Sequence, residues 1–164
     1  MTKEKLLYII QAAIKGRRTI MDLARKKITE IPPEFGGLST LVELDLSGNE
    51  LITLPDEFGN LKRIKKLALD YMQLPSVPSS LFRLATLEEL YLRGNVIKEL
   101  PSEIGNLKRL KGLDLRGNLL TQLPKELGEL TQLKKLFLEA NPIKSPPPEI
   151  IQKGAEAILQ FLRA

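Results

Sequence analysis

A strict 23-residue repeat constrains the fold of this chain more than any other feature of its sequence. Apolar residues fill one register at 23-residue intervals from Leu41 to Leu133, and Arg18 holds that register one unit earlier. The template reads LxxLxLxxNxLxxLPxxφGxLxx, where φ is apolar, and six units follow it, the first and last imperfectly. A fixed short period is the signature of an architecture in which each unit packs against its neighbours. The sequence therefore predicts a solenoid.

The alternation of leucines inside each unit predicts a short strand. In the segment VELDLSG, Leu44 and Leu46 alternate with polar residues. Successive side chains of a strand point to opposite faces, so both leucines face the same way. One such strand cannot bury its apolar face alone, and stacked copies are needed to create a core.

A proline follows the last apolar residue of the loop in several units, and a glutamate comes two residues later. Pro55, Pro101 and Pro124 show this pattern. Proline suits the start of a helical turn because its missing N–H costs nothing there, and acidic side chains favour the positive end of a helix. We therefore expect a short helical turn on the side of each unit opposite the strand.

One template position holds an asparagine, which we expect to be structural. A side-chain amide both donates and accepts hydrogen bonds, so it can satisfy the backbone at a tight turn and link neighbouring units. Lys26 replaces it in the first unit and Met72 in the third, where we expect the turn to relax or water to satisfy the orphaned groups. The third unit also has Phe82 and Arg83 where its neighbours have Gly-Asn, which predicts an irregular link and no active centre. The asparagines of this predicted ladder are Asn49, Asn95, Asn118 and Asn141.

The segments LVELDLSGNELITLP, LEELYLRGNVIKELP and LKGLDLRGNLLTQLP resemble the leucine-rich repeat family, in its typical intracellular 23-residue class. The resemblance covers about residues 18 to 150. It implies an α/β leucine-rich repeat solenoid, with a curved parallel β-sheet on the concave side and short helical or 3-10 turns on the convex side.

The two ends of the chain depart from the template and predict capping segments, because an open solenoid end would expose its core. Residues 1–17 are expected to form an amphipathic capping helix that stops at Gly16, residues 18–149 six repeats, and residues 150–164 a C-terminal capping helix. The tail NPIKSPPPEIIQKGAEAILQFLRA resembles the closing segment of bacterial Roco-type and related intracellular leucine-rich repeat proteins. A Ras-like GTPase follows that segment in Roco proteins, but this chain contains no P-loop motif.

The sequence contains neither cysteine nor histidine, which excludes thiolate zinc sites, Ser-His-Asp triads and Cys-His nucleophiles. Asp22 and Asp45 are predicted to be neighbours in one column, but nothing closes a metal site around them and we interpret them as solvated carboxylates. We expect no enzymatic activity, no metal and no cofactor. A chain without cysteine fits a reducing compartment, and we predict a cytoplasmic protein without a membrane span.

The net charge is +5, and the excess lies outside the predicted concave face. It gathers in the segments KGRR and RKK and around Lys62, Arg63, Lys108 and Arg109. No aromatic residues interleave with these runs, so a solvated surface is favoured over a nucleic-acid or phospholipid footprint.

Aromatic residues and arginines combine only in units four to six, where ligand-binding surfaces are therefore predicted. In the column Asp70, Arg93, Arg116 and Glu139, the two arginines either clamp a carboxylate or phosphate of a partner, or each pairs with the acid beside it. The complete set of predicted partner-binding residues is Asp70, Tyr71, Tyr91, Arg93, Asp114, Arg116, Phe137 and Glu139.

The predicted function is a monomeric, non-enzymatic protein–protein interaction module that binds a macromolecular partner on its concave face, as a signalling scaffold would. The alternative is the recognition or regulatory arm of a Roco-like GTPase or another multidomain signalling protein. A nucleic-acid partner is not expected.

Overall fold

The computed structural model describes all 164 residues, and its centre is one open sheet of six parallel strands in chain order. Neighbouring strands pair in a register offset by one repeat, so that Leu44 lies opposite Leu67 and Leu67 opposite Leu90. The strands are β1 (Ile20–Asp22), β2 (Glu43–Asp45), β3 (Lys66–Ala68), β4 (Glu89–Tyr91), β5 (Gly112–Asp114) and β6 (Lys135–Phe137). The predicted α/β leucine-rich repeat solenoid is confirmed.

Five 3-10 turns form the convex side, and each begins directly after a proline. The first two turns stack through Phe35 and Phe58, whose ring centroids lie 5.6 Å apart. The turns span Pro33–Gly37, Asp56–Asn60, Ser79–Arg83, Ser102–Asn106 and Lys125–Glu129. Proline therefore has the role that its position in the template predicted.

A single cluster of 43 buried apolar residues fills the space between the sheet and the turns. Leu44 is 2% exposed and Leu46 is fully buried, as the alternation predicted. Each repeat contributes a layer to this cluster, and no layer is closed without the one beside it.

Helices cover both ends of the core. Helix α1 (Lys3–Lys15) begins at Thr2, whose hydroxyl accepts the Lys5 N–H, and buries Leu6 and Ile10 against the first repeat. At the other end lie α2 (Pro148–Ile151) and α3 (Ala155–Arg163), of which α3 buries Ile158 and Leu159. None of these helices has the length and apolarity that a bilayer-crossing segment needs.

Asparagine side chains join consecutive repeats at the turns after β2, β4, β5 and β6. Asn95 accepts the N–H groups of Met72 and Leu74 at 3.1 and 2.9 Å, and its amide donates to the carbonyls of Leu69 and Leu92 at 2.9 and 3.0 Å. Equivalent bonds tie the chain at the other three asparagines, Asn49, Asn118 and Asn141. Each buried amide thus satisfies backbone groups of its own repeat and of the one before it.

The turn around Met72 has a different backbone. Met72 is 1% exposed. In other repeats, the residues equivalent to Leu51, such as Ile28 and Leu74, donate their N–H groups to an asparagine. The buried N–H of Leu51 has no acceptor. Both Tyr71 (φ 54°) and Gln73 (φ 61°) are left-handed, whereas the asparagine-bearing turns contain one left-handed residue each. The turn at Lys26, which also lacks asparagine, has the same two left-handed positions. Without the amide, the turn therefore adopts a second conformation.

Candidate functional site

The parallel register brings the predicted partner-binding residues of units three to six onto one sheet face. Tyr91, Asp114 and Phe137 are direct register partners on β4, β5 and β6. Arg93 and Arg116 come two residues after Tyr91 and Asp114, in the turns that directly follow β4 and β5. Every predicted member thus stems from a strand or from the turn that directly follows it.

Arg116 is held in place by its own strand. Its Nε lies 2.9 and 3.0 Å from the two carboxylate oxygens of Asp114, and its Nη2 donates to the same carboxylate. The guanidinium carbon lies 5.0 Å from the centre of the Phe137 ring. Asp114 is 3% exposed, so it orients Arg116 and leaves the outer part of the guanidinium to solvent. Pairing within the column was one of the two alternatives that the sequence left open, but Arg116 pairs with Asp114, outside that column, and not with Glu139.

Arg93 has no acidic partner for its guanidinium. Its backbone N–H donates to Asp70 Oδ1 at 2.7 Å, while its guanidinium carbon lies 5.7 Å from the centre of the Tyr71 ring. Burial raises the pKa of the Asp70 carboxyl, although the Arg93 N–H opposes this effect and the neighbouring Asp114 adds to it. Arg93 is therefore a cation without a direct ion pair, placed over an aromatic face.

Tyr71 is 54% exposed and lies directly over the next repeat's glycine. A Cβ at Gly94 would lie 2.3 Å from Tyr71 Cδ1, and Gly94 is itself left-handed at φ +67°. Only glycine fits at position 94 while the Tyr71 ring is there.

Tyr91 is half-buried, and its hydroxyl is engaged inside the protein. It donates to Glu89 Oε2 at 2.7 Å, and this bond, together with burial, raises the pKa of Tyr91 to about 12. The Lys66 ammonium lies 5.7 Å from the ring centre. The Tyr91 hydroxyl is therefore already engaged, and the ring is the part of the side chain left for further contacts.

Four of these side chains form what we call the aromatic–arginine row: Tyr71, Arg93, Arg116 and Phe137. They come from four consecutive repeats, whose strands lie about 4.8 Å apart, so the row is roughly 14 Å long across the sheet. Two guanidinium groups between two aromatic rings suit an anionic group that has apolar surface beside it. Sequence reasoning missed Lys66 and Glu89, although their column lies two residues before that of Tyr91.

Two apolar residues that follow the asparagine turns are exposed, Val96 at 42% and Leu119 at 44%. The predicted acidic pair, Asp22 and Asp45, is used locally. Asp22 Oδ1 accepts the Ala24 N–H at 2.9 Å, and Asp45 Oδ1 accepts the Ser47 N–H at 2.8 Å. These carboxylates close their own turns.

Positive charge gathers where the strands begin. We define the strand-start edge as the first residue of each strand together with the four residues before it. Over the six strands, this edge contains eleven basic residues and three acidic ones. That edge carries a net charge of +8 in a chain of +5, so the remainder carries −3. Lys65 and Lys111 share Glu88, at 3.5 and 2.7 Å, and most of the other basic residues of this edge have no ion pair.

Comparisons with known proteins agree with this geometry. A family model described as leucine rich repeat matches residues 19–74 and 85–143. No curated protein matches the sequence.

Solved structures resemble most of the chain. A Leptospira interrogans leucine-rich repeat protein is 45% identical with a TM-score of 0.73, over 77% of this chain and 32% of that protein. The plant peptide hormone receptor RGFR1, solved in complex with RGF2, is 32% identical with a TM-score of 0.66, over 75% of this chain and 21% of the receptor. TLR13, solved with ssRNA13, is 27% identical with a TM-score of 0.71, over 77% and 18%. This chain thus spans less than a third of the length of each. It belongs to the leucine-rich repeat family.

Proposed function

We propose that the concave face of the last four repeats binds a protein partner through the aromatic–arginine row. The partner segment presents a carboxylate beside an apolar side chain. The observation that carries this proposal is Arg93, a cation without an acidic partner that is held over Tyr71. Arg116 stands beside it, already oriented by Asp114.

Preorganisation is the second support. Arg116 is fixed by three bonds to a buried carboxylate, and Arg93 lies against an aromatic ring, so little side-chain freedom remains to be lost on binding. Rigid aromatic and arginine side chains are the types that dominate interface energetics. The sheet that carries them is tied by backbone hydrogen bonds between all consecutive strands.

The charge at the strand-start edge favours an acidic partner as well. A net +8 along one edge of the face raises the encounter rate of a negatively charged segment and orients it toward the row. The complex of the plant receptor with RGF2 is consistent with a peptide-like ligand for this fold. We also propose that the protein is a cytoplasmic, monomeric scaffold without enzymatic activity.

A displayed peptide library, selected on the immobilised protein, tests the proposal. We expect enriched sequences to place Asp or Glu next to a large apolar residue. A representative peptide should bind the double variant Arg93→Ala, Phe137→Ala about tenfold more weakly than the wild type, since two anchors are removed. Lys98→Ala is the matched control, because Lys98 is an exposed cation outside both the row and the strand-start edge, and it has no ion pair.

Two results count against the proposal. Equal binding of the peptides to the wild type and the double variant removes the row from the interface. Preferential binding of a single-stranded RNA oligonucleotide in the same assay would indicate a nucleic-acid ligand instead of a protein partner. The alternative of a Roco-like recognition arm stays a prediction from the tail sequence.

A further inference from the structure

On the convex side of the solenoid, each regular 3-10 turn contains a glycine against which the next repeat or the capping helix packs. A Cβ added to Gly36 would lie 2.4 Å from the carbonyl oxygen of Glu57 in the next turn. A Cβ added to Gly105 would lie 3.1 Å from Cβ of Glu126 in the turn that follows it. Consecutive turns therefore come into contact because this position has no side chain.

The third unit breaks this rule, since Phe82 occupies the glycine position. Its side chain is 8% exposed, so the ring takes up space between the third and fourth turns that the regular junctions leave to the backbone. The consequence is a cleft of about 490 Å³ between the turns Ser79–Arg83 and Ser102–Asn106. Val77, Phe82 and Pro101 contribute apolar surface to it. Its volume lies within the range of about 300–1,000 Å³ that is usual for small-ligand sites.

The charged residues of the cleft are predominantly negative. Glu99 and Glu103 are exposed at the cleft and neither makes an ion pair. The basic residue that lines it, Arg83, reaches back to the preceding junction. There its Nη2 donates to the Asp56 carbonyl and its guanidinium lies against Gly59. Two carboxylates without a basic partner thus remain beside apolar walls, and Glu103 Oε2 accepts the Ser102 hydroxyl at 3.3 Å.

We propose that this convex cleft receives a lysine or arginine side chain of a partner polypeptide. The apolar stem of such a side chain lies along Phe82 and Pro101, and its cationic end is neutralised by Glu99 and Glu103. Long basic side chains combine the two properties that the cleft offers, an apolar wall and unpaired negative charge. The proposal does not depend on the aromatic–arginine row, which occupies the opposite side of the repeat.

A methyl NMR titration of the full chain with two capped pentapeptides tests this inference. The peptides are Ac-Ala-Ala-Lys-Ala-Ala-NH2 and the same sequence with norleucine in place of lysine. The lysine peptide should shift the Val77 methyl resonances in a saturable manner, and the norleucine peptide should not. The double variant Glu99→Gln, Glu103→Gln should bind the lysine peptide about tenfold more weakly, because both carboxylates are neutralised.

Two further variants separate the cleft from general surface charge. Phe82→Gly restores the regular junction and should abolish the saturable shift while the far-ultraviolet circular dichroism stays native. Glu126→Gln changes the acid equivalent to Glu103 at the regular junction between the fourth and fifth turns, and should leave the affinity unchanged. Equal responses to both peptides, unaltered affinity of the Gln double variant, or retained binding by Phe82→Gly would each overturn the proposal. A Val77 shift produced by Ca²⁺ alone would overturn it too, since it would show a metal-ion site.

Discussion

Met72→Asn is the most direct test of how the repeats are joined. In the wild type, the junction between the second and third units lacks the asparagine that the later junctions have. The buried N–H of Leu51 is left without an acceptor, and Gln73 is held in a left-handed conformation. An asparagine at position 72 can accept the Leu51 N–H in the way that Asn95 accepts the Leu74 N–H at 2.9 Å.

The expected magnitude follows from three terms. Satisfying a buried donor is worth about 2 kcal/mol. Returning Gln73 to a right-handed conformation gains about 1 kcal/mol. Against these gains, removing the buried Met72 side chain from the core costs about 2 kcal/mol. The net expectation is therefore a stabilisation of about 1 kcal/mol.

Chemical denaturation measures the predicted gain in stability, and native-state hydrogen exchange measures the protection of the Leu51 amide. The free energy of unfolding should rise by about 1 kcal/mol, and the Leu51 amide should become more strongly protected because it gains an acceptor. Asn95→Ala is the reference, since it orphans the N–H groups of Met72 and Leu74 and should cost about 3 kcal/mol. A destabilised Met72→Asn variant with an unprotected Leu51 amide would show that the turn cannot adopt the asparagine conformation.

Three further results are expected. Arg116→Ala should lower the free energy of unfolding by about 1–2 kcal/mol, because it leaves Asp114 buried without its partner; an unchanged midpoint in urea would contradict this. The Tyr91 pKa is raised from 10.0 to about 12, so the unfolded chain ionises first, and this contribution to stability should be lost between pH 10 and 12. Tyr91→Phe should flatten the stability profile in that window, and identical profiles would rule the effect out. Phe35→Ala should cost about 3–5 kcal/mol by thermal or chemical unfolding because the ring is fully buried against Phe58, and a loss below about 1 kcal/mol would contradict the stacking account.

The fold could be predicted because the repeat specifies each contact between neighbouring units five times. Leu44 and Leu46 alternate with polar residues, and the same alternation one repeat later pairs Leu44 with Leu67. A register error would carry all the inward leucines to the wrong face, so the period leaves one sheet arrangement. The proline before each turn set the start of the convex segments in the same way.

The fine structure of the candidate site was less accessible. The 23-residue period predicts which residues of neighbouring repeats lie side by side. The choice of Asp114 over Glu139 as the partner of Arg116 depends instead on side-chain rotamers. The buried position of Asp114 and the ring of Phe137 fix that rotamer, and neither is visible in a column of letters. The glycines at the positions equivalent to Tyr71 indicate a left-handed residue there, but the spacing gave no sign that Gln73 would be left-handed as well.

The two sides of a repeat tolerate change differently because different forces set their spacing. On the sheet side, backbone hydrogen bonds fix neighbouring strands at about 4.8 Å, and a bulky residue such as Tyr71 fits only because Gly94 lies beneath it. On the convex side, side-chain packing holds the turns, so Phe82 can separate the third turn from the fourth without breaking a strand pair. The departures of the third unit from the template are therefore separable. Closing the cleft with Phe82→Gly should leave the cation–π distance between Arg93 and Tyr71 unchanged, because every strand bond that positions those two residues lies on the other side of the core.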